Sequence, residues 1–210
     1  MRNIGVLASG RGTNLQAILD GASRGEFSGR VAVIVSDRSK APALDRARKA
    51  GIPAVFVSKK EAGSQEAFEQ RLAAVLDAHQ VDVVCLAGFM RILGPWFVRR
   101  YWGRMLNIHP ALLPSFPGTD AQRQALEYGV KVTGCTVHFV DEGVDAGPII
   151  IQRVVPVRED DSVETLSARI LIEEHKAYVA ALQLLCDGRL EIRGKRVAVN
   201  ETSPGAAGTM

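Results

Sequence analysis

The chain has 210 residues, of which 23% are charged and 47% hydrophobic, with 20 glycines and 9 prolines. That excludes a disordered, collagen-like or coiled-coil chain and suits one sizeable core. Net charge is +3, from 26 basic and 23 acidic residues, too balanced for a nucleic-acid partner, and no apolar run approaches the ~18 residues of a membrane span.

The apolar start, Ile4–Ala8, is ended by Ser9-Gly10-Arg11, so it does not read as a secretory signal. Three cysteines, Cys85, Cys135 and Cys186, lie far apart without Cys-x-x-Cys spacing. They argue against a disulfide framework or zinc ribbon and for small apolar residues in a reducing cytoplasm.

Ile4–Ala8 reads as a strand and Asn14–Arg24 as a helix with Leu15, Ile18 and Leu19 on one side. Strands follow at Val31–Ser36, Ala54–Val57 and Val81–Ala87, with helices between them at Pro42–Ala50 and Gln65–His79. The strands are nearly continuous apolar runs, as both-face burial requires. Strand–helix alternation predicts an α/β fold: one doubly wound domain, a mainly parallel central sheet and a Rossmann-like N-terminal half.

The second half differs. Arg104–His109 reads as a short strand ended by Pro110, and residues 110–118 as a stiff loop with three prolines. Ala121–Tyr128 is predicted helical. Val132–Val140 and Ile149–Val157 are predicted strands, joined by a polar, glycine-containing link at Asp141–Gly147 that suits a functional loop. Val163–Asp187 is a long helix, with capping-box spacing at Asp161 and Glu164 and a stop at Gly188. Residues 189–199 allow a terminal strand pair. The expected organisation is one domain over 1–200 and a flexible tail over 201–210.

Three constellations carry chemistry. The turn Ser9-Gly10-Arg11-Gly12-Thr13-Asn14-Leu15 lies between the first strand and first helix, where free N–H groups and the helix dipole attract phosphate. Leu15 replaces the third glycine of the dinucleotide fingerprint. Asp37 after the second strand leaves a ribose contact, and so nicotinamide binding, open. In Asn107-Ile108-His109-Pro110, Asn107 and His109 face one way and Ile108 the other. An imidazole beside an amide donor suits acyl transfer, and a hydrogen-bonded histidine at a strand end is the bland alternative. The third is Val144-Asp145-Ala146-Gly147-Pro148, where a carboxylate would orient an imidazole and raise its pKa, or simply form an Asx turn.

Glu174 lies in the stripe of the long helix that should face the core, where a carboxylate without a use is costly. His175 reads as solvated or at the core edge. His79 and His138 show no partner spacing and default to structure. No Gly-x-Ser-x-Gly, Walker or His-Glu-x-x-His motif appears, which disfavours nucleophilic and metal catalysis.

Four motifs then occur in order: Gly10-Arg11-Gly12-Thr13-Asn14-Leu15-Gln16, Cys85-Leu86-Ala87-Gly88-Phe89-Met90-Arg91-Ile92-Leu93, Asn107-Ile108-His109-Pro110-Ala111-Leu112-Leu113-Pro114 and Asp145-Ala146-Gly147-Pro148. Over roughly residues 2–195 the chain closely resembles the folate-dependent phosphoribosylglycinamide formyltransferase family. The resemblance implies the formyltransferase fold and formyl transfer from 10-formyltetrahydrofolate, as cosubstrate, to the amine of 5-phosphoribosylglycinamide in purine synthesis, without a metal. It implies Asn107, His109 and Asp145 as the catalytic trio. It assigns the nucleotide to Gly12, Thr13, Asn14 and Glu174. It assigns the folate to Met90, Arg91, Ile92, Leu93 and Asn107, with Val140, Asp141, Glu142, Gly143 and Val144 around the pterin.

Two departures stand out. Gln65 occupies a place near the folate tail where some members carry a basic residue, and Arg11 is a variable position that strengthens phosphate binding or points to water. A methionyl-tRNA formyltransferase would be expected to add a C-terminal RNA-binding domain and a formyltetrahydrofolate hydrolase an N-terminal regulatory one. A nicotinamide oxidoreductase would leave Asn107, His109 and Asp145 unexplained. The expected partners are small molecules, without nucleic acid or membrane, for a cytoplasmic monomer or homodimer.

Overall fold

The computed structural model describes residues 1–201; apart from Glu201, the expected tail lies outside the described residues. Seven strands form one sheet: β1 Arg2–Leu7, β2 Gly29–Ser36, β3 Ala54–Phe56, β4 Val83–Leu86, β5 Met105–His109, β6 Val132–Phe139 and β7 Ile149–Pro156. Their order is β3-β2-β1-β4-β5-β6-β7. The first five run parallel, β6 is antiparallel to β5, and β7 is antiparallel to β6. The predicted mainly parallel sheet is therefore present, and its parallel part has the Rossmann order 3-2-1-4-5.

Helices cover both faces: α1 Thr13–Ser23, α2 Pro42–Lys49, α3 Lys59–Ala62, α4 Gln65–Ala78, α5 Pro95–Arg100, α6 Ala121–Tyr128 and α7 Val163–Cys186. Alternation along the strands divides their side chains between two cores. Ile4, Val6, Cys85, Leu106 and Ile108 meet Leu15, Ile18, Ile170 and Tyr178 from α1 and α7. Leu7, Val84, Leu86 and Met105 meet Phe68, Leu72 and Phe97 from α4 and α5. Gly5 is needed where α4 closes on β1, because a Cβ there would stand 2.6 Å from a Leu76 methyl. No helix of the described residues is long and apolar enough to cross a membrane.

The elements differ from expectation in two places. The short helices α3 and α5 were not anticipated, since four and six residues are too few to display a 3.6-residue period. The cap of α7 is Ser162, whose side chain accepts from the Thr165 N–H while the Thr165 side chain accepts from the Ser162 N–H. The expected box at Asp161 and Glu164 is therefore displaced by one residue, and Asp161 instead binds Arg169. The expected terminal strand pair is present, as a separate hairpin of β8 Leu190–Arg193 and β9 Arg196–Val199.

In this topology β1 and β4 are neighbours whose helices leave to opposite sides, so a crevice opens at their carboxyl ends. Gly10, Met90 and Pro110, which follow β1, β4 and β5, all line one cleft of about 700 Å³ there.

Candidate active site

One end of the cleft is the glycine turn. Gly12 has φ 71°, and a Cβ on it would stand 3.0 Å from the Ala43 backbone, so only glycine fits both the conformation and the approach of α2. Gly12 is also the N-cap of α1 and makes no side-chain cap bond, which leaves the first amides of α1 facing the cleft without a protein acceptor from the cap. Arg46 on α2 braces the turn from behind, donating to the Arg11 carbonyl at 2.9 Å and to Gln16 Oε1 at 2.9 Å. Arg11 and Arg38 line the cleft beside the turn and add positive charge there.

Glu174 closes this end. Its carboxylate is 7% exposed and accepts from Asn14 Nδ2 at 2.8 Å, while Asn14 Oδ1 is buried without a partner. Burial raises the Glu174 pKa, with the Asn14 hydrogen bond opposing it. Tyr178, one turn further along α7, fixes the helix by sharing its hydroxyl between the Leu86 and Leu106 carbonyls at 3.0 and 3.1 Å. A buried carboxylate and an unpaired amide oxygen facing one cleft suit a ligand rich in hydroxyl or N–H donors.

The predicted trio lies at the same carboxyl edge of the sheet, next to Ile108 and Pro110 of the cleft lining. Asn107 and His109 project from one face of β5, and the loop leaving β6 folds back over that face. His109 Nδ1 lies 3.2 Å from Asp145 Oδ2, and Asn107 Nδ2 lies 3.4 Å from Asp145 Oδ1. Asp145 adopts φ 49°, and its Oδ2 also accepts the Gly118 N–H at 2.8 Å. His109 Nε2 lies 2.7 Å from the Phe116 carbonyl, so both ring nitrogens face acceptors.

The ionisation of the pair departs from expectation in one respect. Burial lowers the His109 pKa below the ordinary histidine value, against the upward pull of Asp145 and the Phe116 carbonyl. The expected rise is real as a contribution from Asp145, but desolvation exceeds it. For Asp145, burial favours the acid form, yet His138, the Gly118 N–H and His109 together hold its pKa below the usual aspartate value. The resting pair is thus a carboxylate beside a neutral imidazole already placed to accept a proton.

His138 is the residue that spacing missed. It is 2% exposed, and its Nε2 lies 3.2 Å from Asn107 Nδ2 and 3.7 Å from Asp145 Oδ1. Its Nδ1 faces the Phe139 carbonyl at 2.8 Å and so carries the proton. A neutral ring then accepts from Asn107, and a protonated ring donates to Asp145. The signal that would have found it is the β5–β6 register, in which Asn107 and His138 are partners.

Apolar side chains after β4 and in the 141–147 loop are exposed. Met90 and Ile92 are 62% and 75% exposed, Val144 is also exposed, and Leu93 instead turns into the core with Phe97. Val140 packs on that same core. Arg91 Nε reaches Asp37 Oδ2 at 2.6 Å, and Ser9 Oγ donates to Asp37 Oδ1 at 2.6 Å while accepting the Met90 N–H at 2.9 Å. Asp37 is therefore consumed in joining β2 to the segment after β4, which removes the ribose contact that a nicotinamide reading needs. Gln65 donates to the buried Glu69 and to the Ile92 carbonyl, and Glu69 accepts the Gly94 N–H, so both hold the same segment.

Among the described residues no group of three or more His, Cys, Asp or Glu side chains converges as a metal site. Burial pushes the thiols of Cys135 and Cys186 up to about 12 and about 11, far from thiolate chemistry at neutral pH.

Residues 2–182 match the sequence model described as formyl transferase. The chain belongs to the formyltransferase family. It is 45% identical over 190 residues to the phosphoribosylglycinamide formyltransferase of Escherichia coli, covering 90% of each chain. It is 48% identical over 189 residues to the human trifunctional purine biosynthetic protein adenosine-3, covering 90% of this chain and 19% of that one. The chain thus spans about a fifth of the trifunctional relative's length. The crystal structure of glycinamide ribonucleotide transformylase 1 from Symbiobacterium toebii superposes with a TM-score of 0.94 at 56% identity, covering 96% of this chain and 95% of that one. The formyltransferase match includes the glycine turn, the β5 pair, Asp145 and Glu174, and it ends before the β8–β9 hairpin.

Proposed function

We propose that this formyltransferase moves the formyl group of 10-formyltetrahydrofolate to the amine of 5-phosphoribosylglycinamide, in de novo purine biosynthesis. The observation that carries the reading is the joining of two chemistries in one place: an anion-accepting helix start, and an amide–imidazole–carboxylate cluster within 3.4 Å contacts. In this reading residues 1–200 act as one cytoplasmic domain, a monomer or homodimer with small-molecule partners.

Gly12, Thr13 and Asn14 hold the phosphate through N–H groups and the α1 dipole, and Glu174 accepts from the nucleotide's hydroxyl or amide donors. The exposed apolar side chains of Met90, Ile92 and Val144 suit the flat ring system of a folate. Arg91, Asn107 and the segment Val140, Asp141, Glu142 and Gly143 complete that side, with Leu93 packed behind it. Arg91 meets the folate's carboxylate tail while Asp37 holds its guanidinium.

The substrate amine adds to the formyl carbon, and the carbonyl oxygen takes up negative charge. Asn107 donates to that oxygen. His109 accepts a proton as charge develops, which satisfies both of its flanking acceptors, and passes it toward the folate nitrogen that leaves. Asp145 orients the ring and stabilises its cation. One C–N bond forms, one breaks, and the amine proton ends on the leaving nitrogen, with no metal and no covalent enzyme intermediate.

The test is deformylation of a 10-formylfolate followed by absorbance, with and without the nucleotide. Loss of the formyl group only when the nucleotide is present, undiminished by a chelator, is the expected result. Equal loss without nucleotide would make the protein a hydrolase and overturn the reading.

A further inference from the structure

Lys195 lies in the turn between β8 and β9, beyond residues 2–182 that match the sequence model. Its ammonium donates to Asp141 Oδ2 at 3.0 Å and to the Ala146 carbonyl at 2.8 Å, which are the two ends of the loop that carries Asp145. The other Asp141 oxygen accepts the Gly143 N–H at 3.0 Å, so the start of the loop is an Asx turn whose open side Lys195 fills. From the opposite flank, Arg99 on α5 pairs with Glu142 at 2.6 Å. Gly147 lets the loop close on β6, since a Cβ there would stand 1.8 Å from the Phe139 carbonyl.

We infer that Lys195 is a positioning residue: it ties residue 141 to residue 146 and thereby sets where Asp145 meets His109. The inference rests on the function proposed above and adds a chain segment that the family match leaves out. The Lys195 side chain is 73% exposed and that of Asp141 20%, so the contact contributes little to global stability. Its leverage is local. Asp145 sits at φ 49°, one residue before the carbonyl that Lys195 holds, and a misplacement of about 1 Å in a reacting constellation is enough to cost rate.

The experiment compares native protein with Lys195→Ala and Lys195→Arg by steady-state kinetics and by amide hydrogen exchange without substrates. For Lys195→Ala, kcat should fall and the folate KM rise, so that kcat/KM for the folate drops roughly 3- to 10-fold, a scale set by one exposed charged contact plus one hydrogen bond. The nucleotide KM should stay at its native value. Exchange should accelerate at residues 143–147 and remain native in β1 and β4, and Lys195→Arg should restore most of both. Native kinetics and native loop exchange in Lys195→Ala would overturn the inference, as would a loss spread evenly over both substrates and the whole sheet. Exchange is read without turnover, so a native chain that transfers no formyl group would overturn the proposed function and leave the exchange result to judge Lys195.

Discussion

Asn107 and His138 stand directly opposite each other across the antiparallel β5–β6 pair, with Asn107 Nδ2 3.2 Å from His138 Nε2. Opposite residues in such a pair project from the same face. The reversal of strand direction at β6 therefore brings a second imidazole to the Asn107 amide. The next pair on that face is His109 and Thr136, and Thr136 Oγ1 donates to the Ala111 carbonyl at 2.7 Å and accepts the Leu113 N–H at 3.0 Å. One strand thus supports both the face that carries Asn107 and His109 and the proline-rich loop beside it.

His138→Ala removes a buried partner of Asn107 and Asp145. The loss of such a contact is worth about 1–3 kcal/mol, so turnover should fall by roughly 5- to 150-fold. Single-turnover rates with saturating substrates check this, and a native rate would assign His138 to packing alone.

Asn107→Ala deletes the proposed donor to the developing oxyanion. Turnover should drop by about 10²–10³-fold, the range for one such donor, while the KM of each substrate changes far less. A fall confined to KM would place Asn107 in binding rather than in chemistry.

Asp145→Asn is the informative change at that position, because asparagine tolerates φ 49° whereas a β-branched residue would strain it. Asp145 raises the pKa of His109 even though burial leaves the net shift downward. Removing its charge lowers His109 further. If the neutral ring is the competent form, the native acid limb of the pH–rate profile lies below about 6.5, histidine's ordinary value. In Asp145→Asn that limb should move to lower pH, with a reduced plateau. A limb that stays in place would separate Asp145 from His109.

Glu174→Gln should stabilise the unliganded protein. The folded-state pKa of Glu174 is raised by burial, so its contribution is most favourable below the unfolded glutamate value of about 4.3 and is lost as pH rises through the folded value. At neutral pH the substitution should therefore add on the order of 1 kcal/mol, a gain that shrinks on acidification. Denaturant melts at two pH values, together with weaker nucleotide binding by calorimetry, check both halves.

The local readings that held were those in which a residue's partners are near in sequence. The period of Leu15, Ile18 and Leu19 and the inward place of Glu174 reappear in the burial, and Ile108 joins the core while Asn107 and His109 both meet Asp145. Short elements such as α5 escaped because six residues carry too little periodicity, and the α7 cap moved by one residue because Ser162 competes with Asp161 for the same helix start.

The sequence by itself determined the strand–helix order and the two-sided burial of the parallel strands, and it singled out Asn107, His109 and Asp145 as candidates, since each reading starts from patterns a few residues long. Only the tertiary structure decided that His138 faces Asn107, that Asp37 is spent on Ser9 and Arg91, and that Lys195 reaches the Asp145 loop from 49 to 54 residues away. It also decided the sign of the His109 shift. Strand register, chain return and desolvation are set by the packing of segments distant in sequence, and no local pattern encodes which of two opposing charge effects burial will favour.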